Sequence, residues 1–216
     1  MFSIQKMDLL IALYVACIVM AELMGTKTIY LFTIFGFPFN ASVAIFLFPL
    51  VFTINDIIAE VHGKARIRSI AQSSLVIIFF LMCFSLFATW LPPSARSAGN
   101  EAAFDTIFQA SARISAASLT AFIIAQLVDI AVFSRIKEKF GKKRLWLRNN
   151  LSNFIAQFID TSVFMILAFY SFNQPFQTNA IFLIGLILPY WLLKCAASVI
   201  ETPFAYLGVR WLKDER

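Results

Sequence analysis

The sequence predicts an all-α membrane protein in which one domain, residues 1–216, carries six transmembrane helices. Composition is the first reason, because 60% of the residues are hydrophobic and only 14% are charged, whereas a soluble domain has about 25% charged residues. The second reason is a series of six apolar stretches, each near the roughly 20 residues that span a bilayer. The third is the uneven placement of lysine and arginine along the chain. A soluble globule and a disordered chain are both excluded.

The predicted spans cover, in order, residues 8–31, 41–61, 70–91, 114–134, 150–172 and 180–209. The first span begins like a signal peptide, but nothing after it resembles a soluble mature protein, so we interpret it as a transmembrane helix. Loops 62–69 and 135–149, together with the two termini, hold 14 of the 18 lysines and arginines. By the positive-inside rule, both termini are predicted to be cytoplasmic.

The basic stretch at residues 135–148 (RIKEKFGKKRLWLR) has the charge of a nucleic-acid site. We interpret it instead as a cytoplasmic loop that sets the topology and contacts anionic headgroups of the lipid bilayer. No nucleic-acid partner is therefore predicted. The three cysteines each lie in an apolar run, and His62 is the only histidine. This composition excludes a histidine-cluster metal site, and neither a metal nor a cofactor is predicted.

Polar side chains inside the spans are the candidates for function, because a charge at mid-bilayer costs roughly 2.5–3.5 kcal/mol even on insertion scales. The eight predicted substrate-binding residues are Glu22 in span 1, Asn55 and Asp56 in span 2, Gln126 and Asp129 in span 4, Gln157 and Asp160 in span 5, and Lys194 in span 6. The acidic residues outnumber the basic ones, so some carboxylates must be protonated, hydrated or free to bind a ligand. The alternative is that they pair with Lys194 and Lys27 and only hold the bundle together.

Spans 4 and 5 repeat each other. Residues 124–133 read IAQLVDIAVF and residues 155–164 read IAQFIDTSVF, with six of ten positions identical. In each copy the glutamine and the aspartate are three residues apart and so share a helix face. Because successive spans cross the membrane in opposite directions, helices 4 and 5 form a candidate inverted repeat, an arrangement that often frames a transporter's substrate site. Chance similarity is the alternative, since apolar residues match easily.

At these residues the chain resembles the queuosine precursor transporter family, once grouped as vitamin uptake transporters. The resemblance covers nearly the whole chain. It rests on ASLTAFIIAQLVDIAVFSRI at 117–136 for the fourth span, NDIIAEVHG at 55–63 for the second, Asp160-Thr161 for the fifth, and Lys194 with Pro203 for the sixth. The resemblance implies a multi-pass protein of the cell inner membrane that imports 7-deazaguanine bases or queuine for salvage into tRNA queuosine.

The chemistry of the spans is compatible with a purine-like base. A guanine-like edge presents two adjacent N–H donors, which a carboxylate accepts as a bidentate pair, and the flat ring stacks on aromatic side chains. The candidates are Asp129, Asp160 or Asp56 for the carboxylate, Gln126 and Gln157 for the lactam and ring nitrogens, and Phe133 and Phe164 for stacking. The identity of the substrate depends on the resemblance alone.

Three functional hypotheses follow. We expect a secondary transporter, with protonation of a carboxylate coupling uptake to the proton gradient, and not an enzyme. The alternative is the substrate-binding subunit of an energy-coupling-factor vitamin importer, because Ala12 and Ala16 resemble the small-residue docking motif of such subunits. An intramembrane aspartyl protease using Asp129 and Asp160 is disfavoured, since the chain has no Gly-x-Gly-Asp motif. The sequence makes no prediction about oligomeric state.

Overall fold

The structure, a computed structural model, describes residues 5–34, 36–140, 145–200 and 202–213. Seven α-helices and one β-hairpin occupy these ranges. The helices are α1 (Lys6–Met24), α2 (Phe48–His62), α3 (Lys64–Trp90), α4 (Glu101–Phe140), α5 (Leu145–Phe169), α6 (Phe176–Ile200) and α7 (Thr202–Lys213). The hairpin consists of β1 (Thr28–Ile34) and β2 (Phe37–Ser42), and short 3₁₀ helices cover Val43–Phe46 and Ala98–Asn100.

Five helical segments of the described chain are long and apolar enough to cross a membrane. They are Lys6–Met24, Val43–His62, Ala65–Trp90, Ala98–Val128 and Phe176–Ala196. The described apolar part of α5, Phe154–Phe169, is shorter. These segments confirm the prediction of a helical membrane protein.

The β-hairpin is a departure from the predicted first span. Helix α1 ends at Met24, and the next residues form two antiparallel strands with Thr28 opposite Ser42. The β1 sequence TIYLFTI is dense in β-branched and aromatic residues, which favour strands. Gly36, at the turn, has a φ of 82°, in the left-handed region that favours glycine. The prediction of a helix through residue 31 was therefore wrong, and the all-α class has this one exception in the described chain.

Two contacts fix the hairpin within the bundle. At its base, the Ser42 hydroxyl donates to the Gly25 carbonyl oxygen at 2.7 Å and accepts from the Ala44 amide at 3.2 Å. On its side, β2 packs against α6 at Gly185, where a Cβ atom would lie 2.5 Å from the Pro38 carbonyl oxygen. A glycine is needed there because any side chain would collide with backbone.

The last predicted span, 180–209, is divided into two helices. Helix α6 ends at Ile200 and α7 begins at Thr202, with Pro203 in its first turn, a position that suits proline because no helical N–H is lost there. Leu212 of α7 is buried in an apolar cluster with residues of α1, α2 and α3. Helix α7 therefore packs back onto the bundle instead of extending the span.

Helices α4 and α5 lie antiparallel and make the most extensive helix contact of the described chain. Arg113 of α4 donates from Nε to the Leu167 carbonyl oxygen at 2.8 Å and from Nη2 to the Tyr170 carbonyl oxygen at 2.6 Å. The Leu167 carbonyl belongs to the last turn of α5 and Tyr170 directly follows the helix, where carbonyl groups lack partners within the helix. The guanidinium thus caps α5 and sets its level against α4.

Candidate functional site

A cavity of about 200 Å³, here called the central cavity, lies where α1, α4, α5 and α6 meet. Residues of α2, α3 and the 3₁₀ helix complete its wall, which is mostly apolar. Three charged side chains line it, namely Glu22 from α1, Asp160 from α5 and Lys194 from α6. The structure thus brings together three of the eight predicted residues, each from a different helix.

The Lys194 ammonium is held in the wall by four neighbours. Its Nζ lies 3.3 Å from Asp160 Oδ2 and donates to Thr161 Oγ1 at 3.3 Å. It also lies over two aromatic rings, 5.1 Å from the centroid of Phe48 and 5.5 Å from that of Tyr190. The Lys194 side chain is only 11% exposed, whereas that of Asp160 is 35% exposed. The Lys194 side chain is therefore held by its neighbours, whereas the Asp160 carboxylate remains accessible from the cavity.

Glu22 is the polar group that the cavity leaves unsatisfied. Its side chain is 6% exposed, and Ser115 and Ser118 of α4 lie beside its carboxyl group. Among the described residues, no lysine or arginine lies within salt-bridge distance and Oε2 has no hydrogen-bond partner. The alternative of pairing with Lys27 is not what the structure shows, because Lys27 is exposed. An unmade hydrogen bond at a buried acceptor costs about 1–3 kcal/mol, so Glu22 is ready to accept a donor.

Tyr190 and Phe48 belong to the site but were missed in the sequence. Tyr190 is 2% exposed, interacts electrostatically with both Asp160 and Glu22, and packs edge-on against Phe48 with centroids 5.5 Å apart. Tyr190 precedes Lys194 by four residues, so its place on the same helix face could have indicated it. Phe48 carries no such signal, since it is one of 25 phenylalanines.

The two predicted residues of α2 lie away from the central cavity. Asn55 is half-buried, its side chain interacts with the Tyr14 hydroxyl, and its Oδ1 has no partner among the described residues. Asp56 is exposed. In this conformation neither residue lines the central cavity.

The structure places only some of the predicted residues of the α4–α5 repeat at the central cavity. Gln126 is exposed and Gln157 is half-buried, and neither lines the cavity. The Asp129 side chain lies outside the described part of the protein, as does that of Phe133, whereas Phe164 lines the cavity with Asp160.

Antiparallel packing offsets the two copies of the repeated motif. Counted from the contact between Arg113 and Tyr170, Gln126 and Gln157 are each 13 residues away. Asp129 is 16 residues from Arg113, but Asp160 is only 10 from Tyr170. At 1.5 Å per residue the backbones at the two aspartates are offset by about 9 Å along the helices. The repeated motif therefore cannot place both aspartates at one level.

A second, larger cavity of about 460 Å³ lies on the other side of the same wall, between the hairpin, α2, α6 and α7. We call it the outer cleft. It is lined by Leu31, Phe32, Ile45, Phe46, Phe48, Pro49, Thr53, Leu193, Lys194, Ala196 and Phe204. Of the residues that the structure describes, only Phe48 and Lys194 line both spaces. These two side chains form the partition between the outer cleft and the central cavity.

Membrane-length helices around a small cavity with an ion pair and an unsatisfied carboxyl are typical of polytopic transporters. Residues 42–208 match the family described as "Putative vitamin uptake transporter". The chain belongs to that family, which confirms the resemblance seen in the sequence.

Three relatives also match the chain. A protein of Bacillus subtilis (strain 168), named "Probable queuosine precursor transporter", is 32% identical over 203 residues, covering 92% of this chain and 82% of its own length. A protein of Haemophilus influenzae with the same name is 26% identical over 66% of this chain and 58% of its own. The "Queuosine precursor transporter" of Escherichia coli (strain K12) is 26% identical over 65% of this chain and 61% of its own. No solved structure matches the chain significantly.

Proposed function

We propose that this protein imports queuosine precursors, either 7-deazaguanine bases or queuine, across the cell inner membrane for tRNA queuosine salvage. Three relatives named queuosine precursor transporter support the substrate class. The observation that carries the proposal is the Asp160–Lys194 pair facing a small cavity that also contains the unsatisfied Glu22. Transport is driven as in a secondary transporter, without a dedicated ATPase.

Recognition uses the open side of Asp160. Its carboxylate accepts the two adjacent N–H donors of the guanine-like edge, while Lys194 fixes its orientation. The aromatic rings of Phe48, Tyr190 and Phe164 line the same cavity and provide surfaces for the flat base. A cavity of about 200 Å³ is smaller than the roughly 300–1,000 Å³ of drug-sized sites, which suits one small planar molecule.

We also propose six spans with both termini in the cytoplasm. Helix α5 supplies the sixth span, because its 25 residues reach about 37 Å, more than the roughly 30 Å hydrocarbon core. The bonds from Arg113 hold the end of α5 that faces away from the basic stretch 135–148 against α4, at a level 12 residues from the start of that helix. The positive-inside rule then places this end of α5 outside.

The test is uptake of the radiolabelled base by cells that cannot make queuosine. At equal expression, we expect Asp160→Asn to lower uptake by roughly tenfold or more, because the loss of a charged hydrogen-bond acceptor costs on the order of 1.5–3 kcal/mol. The matched control is Asp8→Asn, since Asp8 is exposed at the start of α1. Equal uptake by wild type and Asp160→Asn contradicts the proposed site, and no uptake by wild type contradicts the function.

A second candidate function is the substrate-binding subunit of an energy-coupling-factor vitamin importer. The observation that favours it is the exposure of both Ala12 and Ala16 on one face of α1, where a partner helix could approach closely. The purified protein alone in liposomes separates the two. Uptake without any partner supports the secondary transporter, and uptake only after addition of an ATPase module supports the importer subunit.

A further inference from the structure

The two carboxyl groups of the central cavity have different partners. Asp160 is paired with the Lys194 ammonium at 3.3 Å and remains 35% exposed. Glu22 is more deeply buried, has no cation within salt-bridge distance among the described residues, and has a carboxyl oxygen without a partner. An unpaired charge is among the costliest groups to bury in a membrane protein, whereas a neutral carboxylic acid costs far less. This arrangement therefore favours the ionised form of Asp160 and the neutral, protonated form of Glu22.

We propose that Glu22 carries the proton that couples transport to the proton gradient, one proton for each base, while Asp160 and Lys194 bind the base. This inference rests on the proposed function and deepens it, because it separates the coupling residue from the binding residues.

The groups that face Glu22 can accommodate both of its protonation states. The titratable or charged ones are Asp160 from α5 and Tyr190 and Lys194 from α6. Helix α4 contributes the hydroxyls of Ser115 and Ser118, and Ser42 lies before α2. The described residues that α3 contributes to the cavity, Leu75 and Ile78, are apolar. Hydroxyls donate or accept as required. Among the described residues, with Glu22 protonated one carboxylate balances one ammonium, and with Glu22 ionised the cavity holds one uncompensated negative charge.

The proton cycle consumes no other reactant. The O–H bond of the Glu22 carboxyl forms with a proton from water on the side where the base enters. The same bond breaks after the cavity opens to the cytoplasm, and the proton passes to cytoplasmic water. A neutral base moved with one proton accumulates about tenfold for each pH unit of gradient at equilibrium, because one unit is a tenfold ratio of proton activity.

The test uses purified protein in liposomes with radiolabelled 7-cyano-7-deazaguanine, which is uncharged. Wild-type protein should exchange internal for external base without a gradient, and should accumulate base when the outside is made acidic at clamped membrane potential. A pH dye inside the liposomes should report proton entry when base is added outside.

Glu22→Gln cannot carry the proton but keeps the size of the side chain. We expect it to retain exchange and to lose gradient-driven accumulation by about tenfold per pH unit applied. Glu60→Gln is the matched control, because Glu60 is exposed on α2 and should behave as wild type. Asp160→Asn should lose both activities.

Three results would overturn the assignment of Glu22. One is Glu22→Gln that still accumulates base under an acidic exterior. Another is Glu22→Gln that loses exchange, which would make Glu22 a binding or structural residue. The third, independent of any variant, is wild-type protein that takes up base added outside without any entry of protons into the liposomes. Wild-type protein that neither exchanges nor accumulates base contradicts the proposed function itself.

Discussion

The central cavity and the outer cleft share a wall but differ in chemistry. The central cavity contains two carboxyl groups and one ammonium, whereas the outer cleft is lined by apolar side chains, with Thr53 and Lys194 as its polar members. Lys194 lines both spaces. Asp160 and Thr161 hold its ammonium at the cavity, and Phe48 lies beneath it. Glu22 and Asp160 line only the central cavity, so the smaller of the two spaces carries the charged groups that could bind a polar ligand.

The largest expected effect comes from removing this cation. Lys194→Met leaves Asp160 without its partner, so uptake of labelled base should fall by roughly tenfold or more, since breaking one side of a sheltered charge pair costs several kcal/mol. Solvation of the unpaired carboxylate lowers this cost, because the Asp160 side chain is 35% exposed. Lys27→Met, at an exposed lysine, is the control.

A double variant sharpens this prediction. Asp160→Asn combined with Lys194→Met removes both charges, so its thermal stability should recover relative to Lys194→Met while uptake stays low. Recovery of uptake in the double variant would mean that the pair serves the bundle and not the substrate.

The second prediction concerns the partition. Phe48→Ala opens the wall and removes a cation–π contact worth about 0.5–2 kcal/mol, so uptake should fall between about twofold and thirtyfold. Phe46→Ala is the matched control, because Phe46 lines only the outer cleft and is 69% exposed. Equal losses in the two variants would show that the outer cleft is as important for transport as the central cavity.

The third prediction tests the hairpin that borders the outer cleft. Gly185→Ala places a methyl group against the Pro38 carbonyl oxygen, and overpacking of this kind costs about 1–3 kcal/mol. The melting temperature in detergent should therefore decrease. Gly99→Ala should not change it, since nothing lies within 4 Å of a Cβ at Gly99. An unchanged melting temperature for Gly185→Ala would place the hairpin elsewhere.

The smallest effect is expected at Gln126. This residue is exposed and lies outside both spaces, so Gln126→Leu should leave uptake within about twofold of wild type, as is usual for surface substitutions. A loss as large as that of Asp160→Asn would show that this face of α4 enters the site in another conformation.

The sequence was most informative about charged residues inside the predicted spans. Glu22, Asp160 and Lys194 could be selected because a charged side chain in an apolar helix is costly and needs a reason. The same argument selected Gln126, which the structure shows to be exposed. The sequence indicates that this residue lies in an apolar helix, but it does not show which helix, if any, packs against its side chain. That information depends on the level and rotation at which α4 meets α5, and Arg113 sets the level through contacts distant in sequence.

The β-hairpin and the aromatic residues of the candidate site were missed in the sequence for a related reason. An apolar stretch scores as a span whether it forms a helix or a strand, so residues 28–42 could not be separated from their neighbours by hydropathy alone. Phe48 becomes part of the candidate site only through tertiary packing against Lys194, whereas Tyr190 shares a helix face with Lys194.

Binding of the base to purified protein tests the central claim most directly. Isothermal titration of 7-cyano-7-deazaguanine into wild-type protein in detergent should show one site per chain, and Asp160→Asn should lose most of the affinity while Asp8→Asn keeps it. Equal affinity in wild type and Asp160→Asn would contradict the account, because the base would then bind somewhere other than the central cavity.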